Sequence, residues 1–163
     1  VYDVDNGEMQ YQFWVDIQKA SEKGIDFDWK MTDPVNYSGK ISISADALKN
    51  ATRLFNYFSN HSSENLTDQT SVFLSNKVYD ELVNNERTGI DVGLGEEEFI
   101  RRNELFKDFK IKVDGKDASL EYYDANNLEN NHVIRFAKIG NYPLIIEMHL
   151  DFSITLKEVK TAQ

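Results

Sequence analysis

The chain has 163 residues, 40% of them hydrophobic, with 18 Lys and Arg set against 28 Asp and Glu. A formal net charge of −10 opposes nucleic acid phosphates and anionic lipid, and no basic stripe overrides it locally, so nucleic acid is excluded as a partner. The absence of cysteine excludes disulfides, thiolate metal sites and Cys nucleophiles, and no apolar run approaches the roughly 18 residues of a membrane-crossing helix.

The length suits a single domain over residues 1–163, with the acidic residues 1–8 and their Asn6-Gly7 as a loose entry or turn. Tyr11, Phe13, Val15 and Ile17 alternate with Gln12, Trp14, Asp16 and Gln18, which predicts a strand. Ile25, Phe27, Trp29 and Met31 predict a second. A three-residue loop closed by Gly24 joins them and sets Ile17 opposite Trp29, Val15 opposite Met31 and Asp16 opposite Lys30. Asp33-Pro34 ends that strand, because Pro brings no ladder donor. A strand over 39–43 leads to Ser44 as N-cap. Leu48, Ala51, Phe55 and Phe58 then recur at helical spacing, predicting a helix to about Phe58. Residues 59–69 are polar and read as a mobile surface loop, followed by a short strand over 70–74. Ser75 caps a second helix that turns Val78, Tyr79, Leu82 and Val83 inward and ends at Asn84-Asn85.

Ile90, Val92 and Leu94 predict another strand, and the acidic start of 96–106 suits a short helix. Asp114-Gly115 is the clearest turn, pairing Phe109 with Leu120 and Ile111 with Ala118. Residues 124–131 read as loop. A strand through Ile134 and Phe136 returns at 140–143, with Phe136 against Ile146 and Arg135 opposite Glu147. From Leu144 to Leu156 every even position is apolar, which predicts one strand of about 40 Å at 3.3 Å per residue. The expected fold is α+β: a strongly curved, half-barrel-like, mostly antiparallel sheet of eight to nine strands wrapping two mid-chain helices. This layout is similar to the half-barrel of bacterial lipoprotein carriers or to a lipocalin-like sheet, a resemblance of architecture without a shared motif.

Glu147, His149 and Asp151 form a carboxylate–imidazole–carboxylate row on one strand face. Same-face neighbours lie about 7 Å apart, too far for all three to hold one zinc at about 2 Å. Acid/base or metal chemistry there needs partners such as Asp16, Asp26 or Asp28 from adjacent strands; the plainer reading is a solvated face with Glu147 tied to Arg135. No metal site and no cofactor are expected. Asp3–Gly7 misses the calcium-loop spacing, Gly93-Leu94-Gly95 lacks the rest of a dinucleotide fingerprint or a P-loop Lys, and no nucleophile elbow is present. Trp14 falls in the polar phase of its strand, where an indole would stack on a sugar or a protein partner, and Tyr122, Tyr123 and Tyr142 raise the same question.

These residues support a non-enzymatic, exported bacterial binding domain, periplasmic or extracellular, with a removed N-terminal leader as its anchor. Its groove would take a small apolar ligand, a glycan or a protein partner. A cavity lined by Phe13, Phe27, Phe55 and Phe152 is the mark of that reading. The alternatives are a glycosidase-like hydrolase with paired carboxylates, and a structural or adhesive module of an envelope assembly.

Overall fold

A computed structural model describes residues 1–102 and 105–161. In chain order the elements are β1 (Tyr2–Asp5), β2 (Gln10–Ser21), β3 (Gly24–Met31), β4 (Ser38–Ser44), α1 (Ala45–Asn50), β5 (Arg53–Leu54), β6 (Ser62–Leu66), β7 (Gln69–Thr70), α2 (Asn76–Asn85), β8 (Arg87–Asp91), β9 (Glu96–Arg101), β10 (Phe106–Val113), β11 (Lys116–Asn127), β12 (His132–Ile139), β13 (Tyr142–His149), β14 (Ser153–Leu156) and β15 (Glu158–Val159).

The strands follow the order β6-β4-β3-β2-β1-β14-β13-β12-β11-β9-β8-β5-β7, with β10 joined to β11 and β15 off this path. The end strands β6 and β7 are separated in the chain only by Thr67 and Asp68, so the sheet curls until its two edges almost meet. The protein is therefore mostly β, with two short helices and a nearly closed curved sheet.

Fifteen strand segments among the described residues exceed the eight to nine expected, and each difference has a local cause. The 144–156 strand is two. Leu150 N–H donates to the Phe152 carbonyl (2.8 Å), folding β14 back on β13 with Met148 opposite Ile154 and Glu147 opposite Thr155. Alternation survives such a turn because paired positions keep their faces. The helix expected to reach Phe58 stops at Asn50, and Phe55 N–H instead donates to the Thr70 carbonyl (2.7 Å). Polar residues 62–66 join the sheet in parallel with β4 instead of forming a loop, and 124–127 extend β11. Glu96–Arg101 is a strand, not a helix, because β8 and β11 pair with its two sides; the part of that expected helix at 103–104 lies outside the described residues. Residues 2–5, expected in a loose entry, form β1 between β2 and β14, with Tyr2 and Val4 buried.

Both helix caps and the Asp114-Gly115 hairpin match the structure, and two other pairings are shifted. Ser44 Oγ accepts from Ala47 N–H (3.1 Å) and Ser75 Oγ from Val78 N–H (3.2 Å). The Asp114-Gly115 hairpin pairs Phe109 with Leu120 and Ile111 with Ala118. The β2–β3 hairpin keeps its faces but slips by two residues, pairing Val15 with Trp29 and Ile17 with Phe27 across a two-residue turn. Phe136 meets Ile145, one residue from the expected Ile146, because a bulge follows Arg135.

The core joins the inner sheet face (Ile25, Phe27, Ile41, Phe99, Ile134, Phe136) to Ala47 and Leu48 of α1 and Val78 and Leu82 of α2. Each such side chain contributes about 1.5–3 kcal/mol on burial. Helix α1 packs on β3, β4, β7 and α2; α2 packs on β8, β9 and β13. On β10 and the first half of β11, Phe106 stacks on Tyr122 (5.1 Å) and Phe109 meets it edge-on (5.7 Å).

Candidate functional site

Strand β2 outruns its neighbour. Its ladder with β1 covers Gln10 to Phe13 only, and from Trp14 to Ser21 it pairs with β3 alone among the described residues. Across the opening lies the segment Val72–Leu74, which is bound to β13: Ile145 N–H donates to the Val72 carbonyl and Leu74 N–H to the Pro143 carbonyl (both 2.9 Å). The result is a slot through the sheet with a volume of about 1160 Å³. The Tyr142 hydroxyl, donating to the Ser21 carbonyl (3.4 Å), ties the hairpin end of β2 to β13.

Val15, Ile17, Trp29, Phe73, Leu144 and Leu156 give the slot its apolar surface, and Trp14, Asp16, Asp28, Lys30, Lys40 and Lys160 its polar rim. Both tryptophans of the chain line it from opposite faces of the sheet, since Trp14 pairs with Lys30 and Trp29 with Val15. Trp29 is 2% exposed, packed edge-on to Phe58 (5.1 Å) and tilted against Phe13 (6.1 Å). Trp14 is half-buried, with the Lys30 and Lys160 ammonium groups 4.8 and 5.1 Å from its ring centre. Both indole N–H groups are buried without a hydrogen-bond partner among the described residues. An orphaned buried donor costs about 1–3 kcal/mol, so two beside one slot are groups left open by the fold.

Gly39 lets the wall close around Trp29. A Cβ there would lie 2.6 Å from the Ser62 carbonyl oxygen and 2.7 Å from the Trp29 ring, so only glycine permits β4, β6 and that indole to converge. The rim charges balance locally, with Lys40 near Asp28 (3.8 Å) and Lys160 near Glu158 (3.7 Å).

The structure brings Trp14 into this slot and disperses the three tyrosines. Tyr122 is buried against Phe106 and Phe109. Tyr123, one position on, turns to the opposite face beside Tyr79 (6.4 Å) and Phe136 (5.7 Å). Tyr142 sits at the hairpin end of the slot, edge-on to Phe73 (6.5 Å). Of the polar row, Glu147 and His149 meet (Oε1 to Nε2, 3.2 Å), while Asp151 sits exposed in the β13–β14 turn.

Glu147 is bound to Arg135, as expected from the pairing, and Arg135 Nε also donates to Asp124 Oδ2 (3.1 Å). Burial works against the Arg135 charge, but the Asp124 hydrogen bond and the Glu147 charge outweigh it and hold the guanidinium pKa above its ordinary value. Asn126 extends the chain of contacts: its Oδ1 accepts from Arg102 (2.7 and 3.0 Å) and its Nδ2 donates to Asp124 (2.7 Å), an amide orientation assigned from these partners. A second pair, His132 Nδ1 with Glu97 Oε2 (2.8 Å), is almost wholly buried. It had no sequence signal, because 35 residues separate its members.

The cavity expected from Phe13, Phe27, Phe55 and Phe152 does not form. Phe13 and Phe27 are core residues, whereas Phe55 and Phe152 line a smaller cavity at the far end of the sheet. No group of three metal-ligating side chains converges among the described residues. No family model, curated protein or solved structure matches this chain.

Proposed function

We propose that the chain is a non-enzymatic binding domain whose slot receives an extended polypeptide segment, which adds a strand along the free edge of β2. The observation that carries this reading is the eight-residue stretch Trp14–Ser21, paired with β3 across a bulge at Gln18 and, among the described residues, without a ladder on its other side, beside a slot of about 1160 Å³. Strand addition satisfies such an edge through main-chain hydrogen bonds, and alternate side chains find pockets on the two faces. A peptide carbonyl at the rim offers an acceptor to the Trp14 N–H, while Trp29, 2% exposed, stays packed in the wall. The peptide's apolar side chains meet Val15, Phe73 and Leu144. A purely apolar ligand would leave the edge unpaired, which costs free energy in a dry site. A hydrolase with paired carboxylates is disfavoured because Asp124 and Glu147 share Arg135, while Asp28, opposite Asp16 on the slot rim, is met by Lys40 (3.8 Å).

Because the only two tryptophans line the slot, intrinsic fluorescence reports on it directly. Twelve-residue peptides selected from a random library should shift the emission and slow amide hydrogen exchange at Trp14–Ala20, with Trp14→Phe weakening the effect. If cello-oligosaccharides or oleate produce the shift and no selected peptide protects those amides, the strand-addition reading is wrong.

A further inference from the structure

The loops at one end of the sheet share a chemistry that the slot does not use. Pairing of Asp5 with both Gln10 and Ser153, of His149 with Ser153, and of Asn127 with His132 sets loops 6–9, 150–152 and 128–131 side by side. Asp91 opposite Glu96, with β9 antiparallel to β11, brings 92–95 to the same end, and Lys30 opposite Ser38 brings 32–37. Residues 55–61 run across it, held by Asn56 Nδ2 on the Val92 carbonyl (3.1 Å) and His61 N–H on the Ser38 carbonyl (2.6 Å).

These six segments carry five exposed large hydrophobic side chains: Met9, Tyr37, Tyr57 (79% exposed), Leu94 (78%) and Leu128 (75%). They also carry Glu8, Asp33, Glu129 and Asp151, and they contain no Lys or Arg, although the chain has 18. Between them opens a cavity of about 370 Å³ lined by Phe55, Tyr57, Leu94, Leu150 and Phe152, with His132 also in its lining. Arg53 lines it too, but its charge is met by Asp68 (3.2 Å) and Asp91 (3.3 Å).

We infer that this end is a docking surface for a polypeptide partner with a cationic face and an apolar side chain that enters the cavity. An apolar centre with a charged rim is the anatomy of a protein interface, and a hole of this size suits an anchoring side chain. The charge selects the partner. Acidic loops without a cation attract a basic surface and repel anionic lipid, and a second copy would bring the same acids against themselves.

The test uses the full chain and an immobilised 16-residue peptide of alternating Lys and Leu, with Glu-Leu and Lys-Ser counterparts. The Lys-Leu peptide should bind at least tenfold more tightly than either counterpart, and binding should weaken as salt rises. Tyr57→Ser with Leu94→Ser should reduce it at least tenfold. Glu8→Lys with Glu129→Lys, which leaves the apolar side chains in place, should do the same if the first pair folds poorly. Ile100→Ser with Ile139→Ser, exposed positions outside these loops and the slot, should leave it unchanged, as should Trp14→Phe, which separates this surface from the slot. Equal binding of the Glu-Leu peptide, or loss of binding only in the Ile100/Ile139 variant, overturns the inference. So does dimerisation, or adsorption to phosphatidylcholine vesicles, that the Tyr57/Leu94 variant abolishes while Lys-Leu binding persists.

Discussion

Along β11–β14 the buried charges find partners within the chain: Arg135 is shared by Asp124 and Glu147, and His132 is held by Glu97. Along β2–β4 the opposite holds, with two indole N–H groups and one strand edge left without partners among the described residues. The two regions are built from the same kind of alternating strand. What separates them is the length of their neighbours. The β12–β13 ladder runs almost the full length of both strands, whereas β1 stops partway along β2. A polar group is spent on the fold where a neighbouring strand reaches it, and is left for a ligand where none does.

The largest expected effect attacks the clamped region. Arg135→Met leaves two largely buried carboxylates without their cation and should lower the urea-derived stability by about 3 kcal/mol, the low end for a broken buried pair because Arg135 is a third exposed. A loss below about 1 kcal/mol would mean that the clamp is no different from a surface pair. Next comes Gly39→Ala. The added methyl must displace Trp29 or β6, at roughly 1–3 kcal/mol, and should alter tryptophan emission as the slot wall moves; unchanged emission would show that the wall yields elsewhere.

A pH experiment extends the contrast to the loop-end cavity, which Asp91 lines. The N–H groups of Gly93 and Gly95 and the Arg53 guanidinium hold the Asp91 carboxyl below its ordinary 3.8, against a smaller opposing effect of burial. A depressed folded pKa stabilises above the unfolded value and loses that contribution as pH falls through the folded one. Asp91→Asn should therefore be less stable than the parent at pH 7, and the two should converge below about pH 4. A gap that stays constant with pH would assign the effect to geometry instead of charge. The smallest effect belongs to the open region: Trp14→Phe removes an N–H that has no partner among the described residues, so stability should stay within about 0.5 kcal/mol while peptide binding in the slot falls. A large loss of stability would place Trp14 with the clamped side chains.

Elements governed by near neighbours in the chain were legible from residues alone. Ser44 and Ser75 cap helices because a hydroxyl three residues before an N–H needs no tertiary help. Asp114-Gly115 turns because both residues adopt positive φ, 49° and 77°. Arg135 faces Glu147 as the alternation suggests, but the register set by the turn would place it opposite Ile146, and only the bulge after Arg135 brings it to Glu147. Trp14 stands out by its polar phase, whereas Trp29, in an apolar phase, reads as ordinary core, and only the fold sets it on the slot.

The sequence by itself determined where α1 and α2 begin, the inward phase of Phe13, Phe27 and Ile134 and a strong negative charge, because capping, periodicity and charge are local properties. Only the tertiary structure decided that Glu96–Arg101 would be strand, that the polar stretch 62–66 would enter the sheet, that residues 144–156 would fold back at Leu150–Phe152, and that β2 would stand partly alone. Those outcomes depend on which distant strand supplies the hydrogen bonds, and a backbone donor carries no mark in the sequence of the acceptor it will meet.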